Sequence, residues 1–260
     1  LKRFELGYFS QVFFCVNLKY VILRCSKNFI TNIIKNLTLM HQQKDLFVRI
    51  WPFFVIYFIY NFAAIAMTQY FGRDELHLFF NKYHDRFFDK FFVIDTDFGT
   101  YYLFIILLGY LFWKETKRRF LYLLISGAVA TTISVFFKNT YFHQVLRPCY
   151  YFTQKNIDIN LVKNYAVQME STFPSGHSLT ATLIALMLCL LTTNRWLQVF
   201  FGLLFPSIAI SRIYLSRHFA IDTVGGSMIG FFIFIFTYYI INSYKTSKLD
   251  QKFIKNGTSK

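Results

Sequence analysis

Apolar residues fall in long runs along the chain, separated by short polar or charged links. Six runs stand out, at roughly 51–71, 98–113, 120–137, 178–193, 196–214 and 219–242. An α-helix rises about 1.5 Å per residue, so 18 apolar residues cover roughly 27 Å, close to the hydrocarbon thickness of a bilayer. The pattern predicts an all-α integral membrane protein, a bundle of six transmembrane helices, with the second and fourth spans short. Between the first two runs the period changes. Phe79, Phe80, Tyr83, Phe87, Phe88, Phe91 and Phe92 recur at helical spacing within 73–97, and Lys82, Asp85, Arg86, Asp89 and Lys90 fill the other face. That stretch reads as an amphipathic helix lying in the membrane interface. His77 and His84 sit on it and read as interfacial packing or solvated groups rather than metal ligands.

Composition agrees. Hydrophobic residues make up 55% of the 260 and charged residues only 16%, where soluble domains carry about 25% charged. The net charge of +15 would point to nucleic acid in a soluble protein, but no nucleic-acid motif accompanies it. Instead the charge sits in links and tails beside apolar runs, where basic residues orient membrane proteins and meet anionic lipid. Lys44 and Arg49, the link Lys114-Glu115-Thr116-Lys117-Arg118-Arg119, Asn194-Arg195, and the tail lysines 245, 248, 252, 255 and 260 all fall on one side of a six-span chain. The positive-inside rule makes that side cytoplasmic, with both termini inside and 73–97 outside. The expected location is a bacterial inner membrane. Residues 40–245 read as one membrane domain and 246–260 as a basic cytoplasmic tail.

Residues 1–39 are of uncertain standing. Their best apolar stretch, Tyr8 to Leu23, is interrupted by Asn17 and Lys19, and no A-x-A-like cleavage site follows it. Met40 is the expected native start; a non-Met start codon is the competing reading, and an added amphipathic anchor the functional alternative. Cys15, Cys25, Cys149 and Cys189 are scattered, with neither disulfide nor metal-ligand spacing. Cys149, in the loop after Arg147-Pro148, is expected to face outward. Gly226 and Gly230 form a small-xxx-small pair that fits internal packing as well as dimerisation, so oligomeric state is not legible.

Three clusters carry candidate chemistry: Lys138 to Arg147-Pro148, Pro174-Ser175-Gly176-His177, and Ser211-Arg212 with His218 and Asp222. Six-span topology brings all three to one membrane face, the extracytoplasmic one. Cations at a lipid boundary are costly unless they meet an anion, and Arg and Lys suit phosphate. Ser175 and Gly176 precede a helix, whose first backbone N–H groups and dipole favour an anion. Together with Lys138, Arg147 and Arg212 they form a phosphate cradle that calls for neither metal nor cofactor. His218 and Asp222 stand four apart, on one helical face. The carboxylate can fix the ring's tautomer and leave the other nitrogen as nucleophile, while His177 serves as general acid. Alone, Pro-Ser-Gly-His reads equally as a helix cap. Arg217 reads as an interfacial charge and His143 as polar loop.

At these residues the chain resembles the type 2 phosphatidic acid phosphatase family, related to vanadium haloperoxidases. The family pattern is Lys-x6-Arg-Pro, then Pro-Ser-Gly-His, then Ser-Arg-x5-His-x3-Asp. The second and third stand complete, while eight residues rather than six separate Lys138 from Arg147. The resemblance covers roughly 50–242 and includes His84-Asp85-Arg86-Phe87-Phe88-Asp89. It implies a six-helix membrane fold and metal-independent hydrolysis of a lipid phosphate or diphosphate through a phosphohistidine. It also implies His218 as nucleophile, Asp222 as its orienting partner, His177 as general acid, and Lys138, Arg147, Ser175, Gly176 and Arg212 as phosphate ligands. Asp95-Thr96-Asp97 is similar to the start of the Asp-x-Asp-x-Thr motif of magnesium-dependent phosphatases, but its fifth position is Gly99, and it reads as a loop before the second span. A lipid phosphotransferase using the same site and a membrane transporter with a phosphate site are the alternative functions. Phosphatidic acid, phosphatidylglycerol phosphate, undecaprenyl diphosphate and lipid A phosphate all remain open as substrates.

Overall fold

The computed structural model describes residues 46–163, 169 and 171–254. The expectations for residues 1–39, Met40, Cys15, Cys25 and the last six tail residues lie outside the described ones. The chain divides into two compact units, 1–48 and 49–260. Of the first, Leu46–Val48 are described, and they are helical. All that follows concerns the second unit.

Its helices are α1 (Trp51–Phe71), α2 (Arg73–Asn81), α3 (Arg86–Asp97), α4 (Leu103–Lys114), α5 (Lys117–Thr140), α6 (Pro148–Gln154), α7 (Gly176–Leu191), α8 (Arg195–Tyr214) and α9 (Ala220–Ser243), with a π-turn at Phe98–Tyr102 joining α3 to α4. Among the described residues, five stretches are long and apolar enough to cross a membrane: α1, α3 through α4, α5, α8 and α9. The sixth, α7, has 16 residues. The six expected spans are all present as helices, and the protein is an all-α integral membrane protein.

The stretch expected as one interfacial helix is divided. Gly72, at φ +83°, ends α1 and starts α2. Helix α2 stops at Asn81, and α3 then continues through the π-turn into α4, so the second apolar stretch begins at Arg86. Asp95-Thr96-Asp97 is therefore helical, not a loop.

Helix starts follow local chemistry. Asn194 Oδ1 accepts from the N–H groups of Trp196 and Leu197 at the head of α8. Thr116 caps α5 through the N–H of Arg119. Each hydroxyl or amide oxygen satisfies a donor that the first helical turn leaves open.

Apolar on all sides, α7 is the centre of the bundle. Eleven of its 16 residues are buried, and it packs chiefly against α8 and α9. Its contact with α9 is backbone to backbone. A Cβ at Gly226 would collide with the carbonyl of Ser175, and one at Gly230 would stand 2.7 Å from the carbonyl oxygen of Leu179. The glycine pair serves internal packing between these two helices. Facing outward, Phe58, Ile59, Phe62, Phe232 and Phe236 are exposed, an apolar surface suited to lipid rather than water.

Candidate active site

The helix ends on one side of the bundle bring the three sequence clusters together. Ser175 caps α7 through its side chain, with Ser178 N–H 3.3 Å from its Oγ. The Ser175 N–H donates to the carbonyl of Asp222 at 3.0 Å, which ties the start of α7 to the start of α9. Gly176 lies beside Lys138, whose Nζ would be 3.9 Å from a Cβ placed there. The turn after α8 folds back on itself: Arg217 and His218 N–H groups both donate to the Arg212 carbonyl, at 2.9 and 3.1 Å.

His218 is 1% exposed and Asp222 3%. Their facing atoms, Nδ1 and Oδ2, stand 3.7 Å apart, a Coulomb contact longer than a hydrogen bond. Thr172 fills the gap. Its hydroxyl donates to Asp222 Oδ2 at 2.6 Å and lies 3.4 Å from His218 Nδ1. The same carboxylate oxygen accepts the Phe219 N–H at 2.9 Å. Asp222 thus caps its own helix while it faces the ring. With Nδ1 turned to Asp222 and Thr172, Nε2 is the nitrogen left for chemistry.

Burial, then the charges of Arg147, Arg212 and Lys138, hold the His218 ring well below the usual histidine range. The ring is therefore neutral at pH 7, the state a nitrogen nucleophile needs. The cations also repel one another. Burial and the neighbouring Arg212 and Arg217 push Arg147 down to about 10. Arg147 Nη1 additionally donates to the Arg217 carbonyl at 3.4 Å. His177 lies within Coulomb reach of Arg212, His218, Lys138 and Arg147. All eight residues singled out in the sequence therefore share one region. Among the described residues, no group of three or more His, Cys, Asp or Glu side chains is arranged to hold a metal ion.

Several expectations change here. Arg217 is buried rather than an interfacial charge, because the turn it sits in folds inward; His143 is exposed. Cys149 is not an accessible loop residue: it lies in α6 and is 3% exposed, its N–H meets the Ser216 carbonyl, and burial raises its thiol pKa. Thr96 is buried, and its hydroxyl accepts from Arg212 Nη1 at 2.9 Å.

His77 is a buried structural group rather than a solvated one. Burial holds it neutral, with its pKa lowered to about 4. It stacks on Phe152, and its Nε2 hydrogen-bonds Ser216 Oγ at 3.1 Å. Asn81 Nδ2 donates to the same oxygen at 3.2 Å and to the Asn160 carbonyl at 2.8 Å. Ser216 itself has φ +51°, a conformation that costs about 1–3 kcal/mol outside glycine and persists when its surroundings hold it. His84 reinforces the turn, with Nε2 3.1 Å from the Tyr214 carbonyl and Nδ1 paired with Asp89. Helix α2 and the start of α3 thus brace the turn that carries His218.

The PAP2 superfamily model matches residues 119–245. Among solved structures, LpxE from Aquifex aeolicus is similar at 25% identity and a TM-score of 0.52, over 65% of this chain and 94% of that one. The first transmembrane PAP2-type phosphatidylglycerolphosphate phosphatase from Bacillus subtilis is similar at 18% identity and a TM-score of 0.55, over 76% of this chain and 98% of that one. The second shares the fold alone. Among curated proteins no sequence matches.

The brace has a kinetic signature. Asn81→Ala should lower kcat about 10-fold, one neutral hydrogen bond's worth of positioning, with KM changed less than twofold and helicity by circular dichroism retained. A folded Asn81→Ala protein with wild-type kcat would show that the turn holds His218 without α2.

Proposed function

Since the chain belongs to the PAP2 superfamily and is a membrane phosphatase acting on lipid phosphates, we propose that it works through a phosphohistidine on His218 at the extracytoplasmic face. The observation that carries this reading is the crowding of Lys138, Arg147 and Arg212 around one neutral, buried histidine. A phosphate would relieve their mutual repulsion and be presented to Nε2.

In the first step His218 Nε2 attacks phosphorus. The P–O bond to the lipid breaks, and His177, protonated once the negative charge of the bound phosphate offsets the cations around it, gives that proton to the departing oxygen. The cations and the N–H groups at the head of α7 take the charge on the equatorial oxygens. In the second step His177 takes a proton from water, the oxygen attacks phosphorus, and the P–N bond breaks. Asp222 and Thr172 hold Nδ1 throughout. The basic links and tail lie at the opposite ends of the helices, which favours an outward-facing site under the positive-inside rule.

A groove supports a lipid substrate. It holds about 490 Å³ and runs down α7 between α4 and α5, with Lys138, Gly176 and His177 at one end and Phe104, Val135 and Leu183 beyond. A second hollow of about 590 Å³ continues past Leu124 and Ala128. Phe104 and Gly127 line both, and a Cβ at Gly127 would stand 2.5 Å from the Phe104 ring. With the phosphate at the cationic end, one hydrocarbon chain fits along the groove, and Phe104 limits its length.

His218→Ala should lower phosphate release from a phosphatidic acid or phosphatidylglycerol phosphate substrate by about 10³-fold or more, and wild-type activity should survive EDTA. Near-normal turnover in folded His218→Ala, or loss in EDTA restored by magnesium, would overturn the mechanism.

Phe104→Ala should join the two hollows. The ratio of kcat/KM for long-chain over short-chain substrate should then rise about 10-fold, the discrimination a few methylenes supply in an apolar pocket. An unchanged ratio would place the hydrocarbon chain elsewhere.

A further inference from the structure

A separate cavity, of about 760 Å³, opens at the other end of the bundle. Lys117 starts α5 and Lys138 lies in its last turn, roughly 30 Å apart at 1.5 Å per residue, and the cavity lies beside the first. Four basic side chains line it, Arg49, Arg118, Arg119 and Lys245, against two acidic ones, Glu115 and Asp250. Both acids are engaged: Arg119 binds Glu115 at 2.7 Å, and Arg118 binds Asp250 at 2.6 Å through Nε. Arg118 also donates to the Ile241 and Tyr244 carbonyls at the end of α9. Those two arginines therefore build the wall. Among the described residues Arg49 donates to a neutral partner, the Leu190 carbonyl at 3.0 Å, and to no carboxylate. Lys245 has no side-chain hydrogen bond or ion pair among the described residues. The cavity thus carries two positive charges in excess of its acids.

Its depth in the membrane is marked independently. The three tryptophans, Trp51, Trp113 and Trp196, all lie at this end of the bundle, at the start of α1, the end of α4 and the start of α8. They are 51%, 61% and 83% exposed. Exposed tryptophans gather at the level of lipid headgroups, and basic pockets between helices at that level suit anionic ones. We propose that this cavity binds the phosphate of an anionic phospholipid headgroup, in the leaflet opposite the catalytic site, with Arg49 and Lys245 as its cationic ligands. The described C-terminal segment forms one wall: Lys117 and Arg118 N–H groups donate to the Gln251 and Leu249 carbonyls, and Phe253 stacks on Phe112. A bound headgroup would fasten that segment to the link between α4 and α5. The proposal is independent of the hydrolytic reaction.

The full chain in phosphatidylcholine nanodiscs, with and without phosphatidylglycerol, provides the test. Phosphatidylglycerol should raise the unfolding midpoint by about 2–4 °C. Lys245→Gln should lose at least half of that shift, Lys245→Arg should keep it, and Arg49→Gln with Lys245→Gln should abolish it. Lys248→Gln, on the same segment but outside the cavity, should leave it intact. An equal shift in the wild-type and the double variant, or an equal loss in Lys248→Gln, would reduce the effect to general surface charge and overturn the site. Inorganic phosphate reproducing the Lys245-dependent shift in pure phosphatidylcholine would assign the cavity to free phosphate and overturn the lipid.

Discussion

Like-charge crowding around one buried histidine is the constraint on which the rest of the structure depends. Lys138, Arg147 and Arg212 come from three separate segments, and they act together on His218. Bringing cations together at a helix boundary is unfavourable unless an anion joins them. The site is therefore built for its ligand at a cost to itself, and the surrounding fold must hold it closed.

That restraint comes from short backbone links. The Ser175 N–H bonds the Asp222 carbonyl, and the paired N–H groups of Arg217 and His218 bond the Arg212 carbonyl. Gly226 and Gly230 let α9 approach α7 so closely that no side chain fits between them. That close approach, with the Ser175–Asp222 link, sets Ser175, Gly176 and His177 beside the start of α9, near His218. At the same end of the bundle, α2, His84 and Asp89 of α3 grip the His218 turn through Ser216 and Tyr214. The bundle leaves space at both ends: a groove leading away from the cationic cluster, and a basic cavity at the far interface.

Much of this was legible in the sequence because it is local. Long apolar runs can only be helices in a bilayer, since every backbone group must be paired within the segment. His218 and Asp222 are four residues apart, and Pro-Ser-Gly-His is contiguous, so helical geometry alone places them. What sequence reasoning missed is non-local. Thr172 stands 46 residues from His218, Thr96 116 from Arg212, and His77 139 from Ser216. No spacing rule links such partners, and Thr and Asn are too common to signal a role. The burial of Arg217 and Cys149 was hidden for the same reason. Arg217 stands in a short turn and Cys149 near the start of α6, and the contact that covers them, such as the bond from the Cys149 N–H to the Ser216 carbonyl, joins segments far apart in the chain. Where the interfacial stretch divides, the Asn81 side chain bonds Asn160 and Ser216, again partners far along the chain.

The central claim is that three cations and the head of α7 deliver a phosphoryl group to His218 Nε2. Vanadate adopts the five-coordinate geometry of phosphorus under attack, so a structure of the protein with vanadate bound tests that claim directly. The expected result is vanadium bonded to His218 Nε2, with equatorial oxygens contacting Arg147, Arg212, Lys138 and the N–H groups at Ser175 and Gly176, and His177 beside the apical oxygen. Vanadate bonded to His177 instead, or held by the cations away from His218, would contradict it.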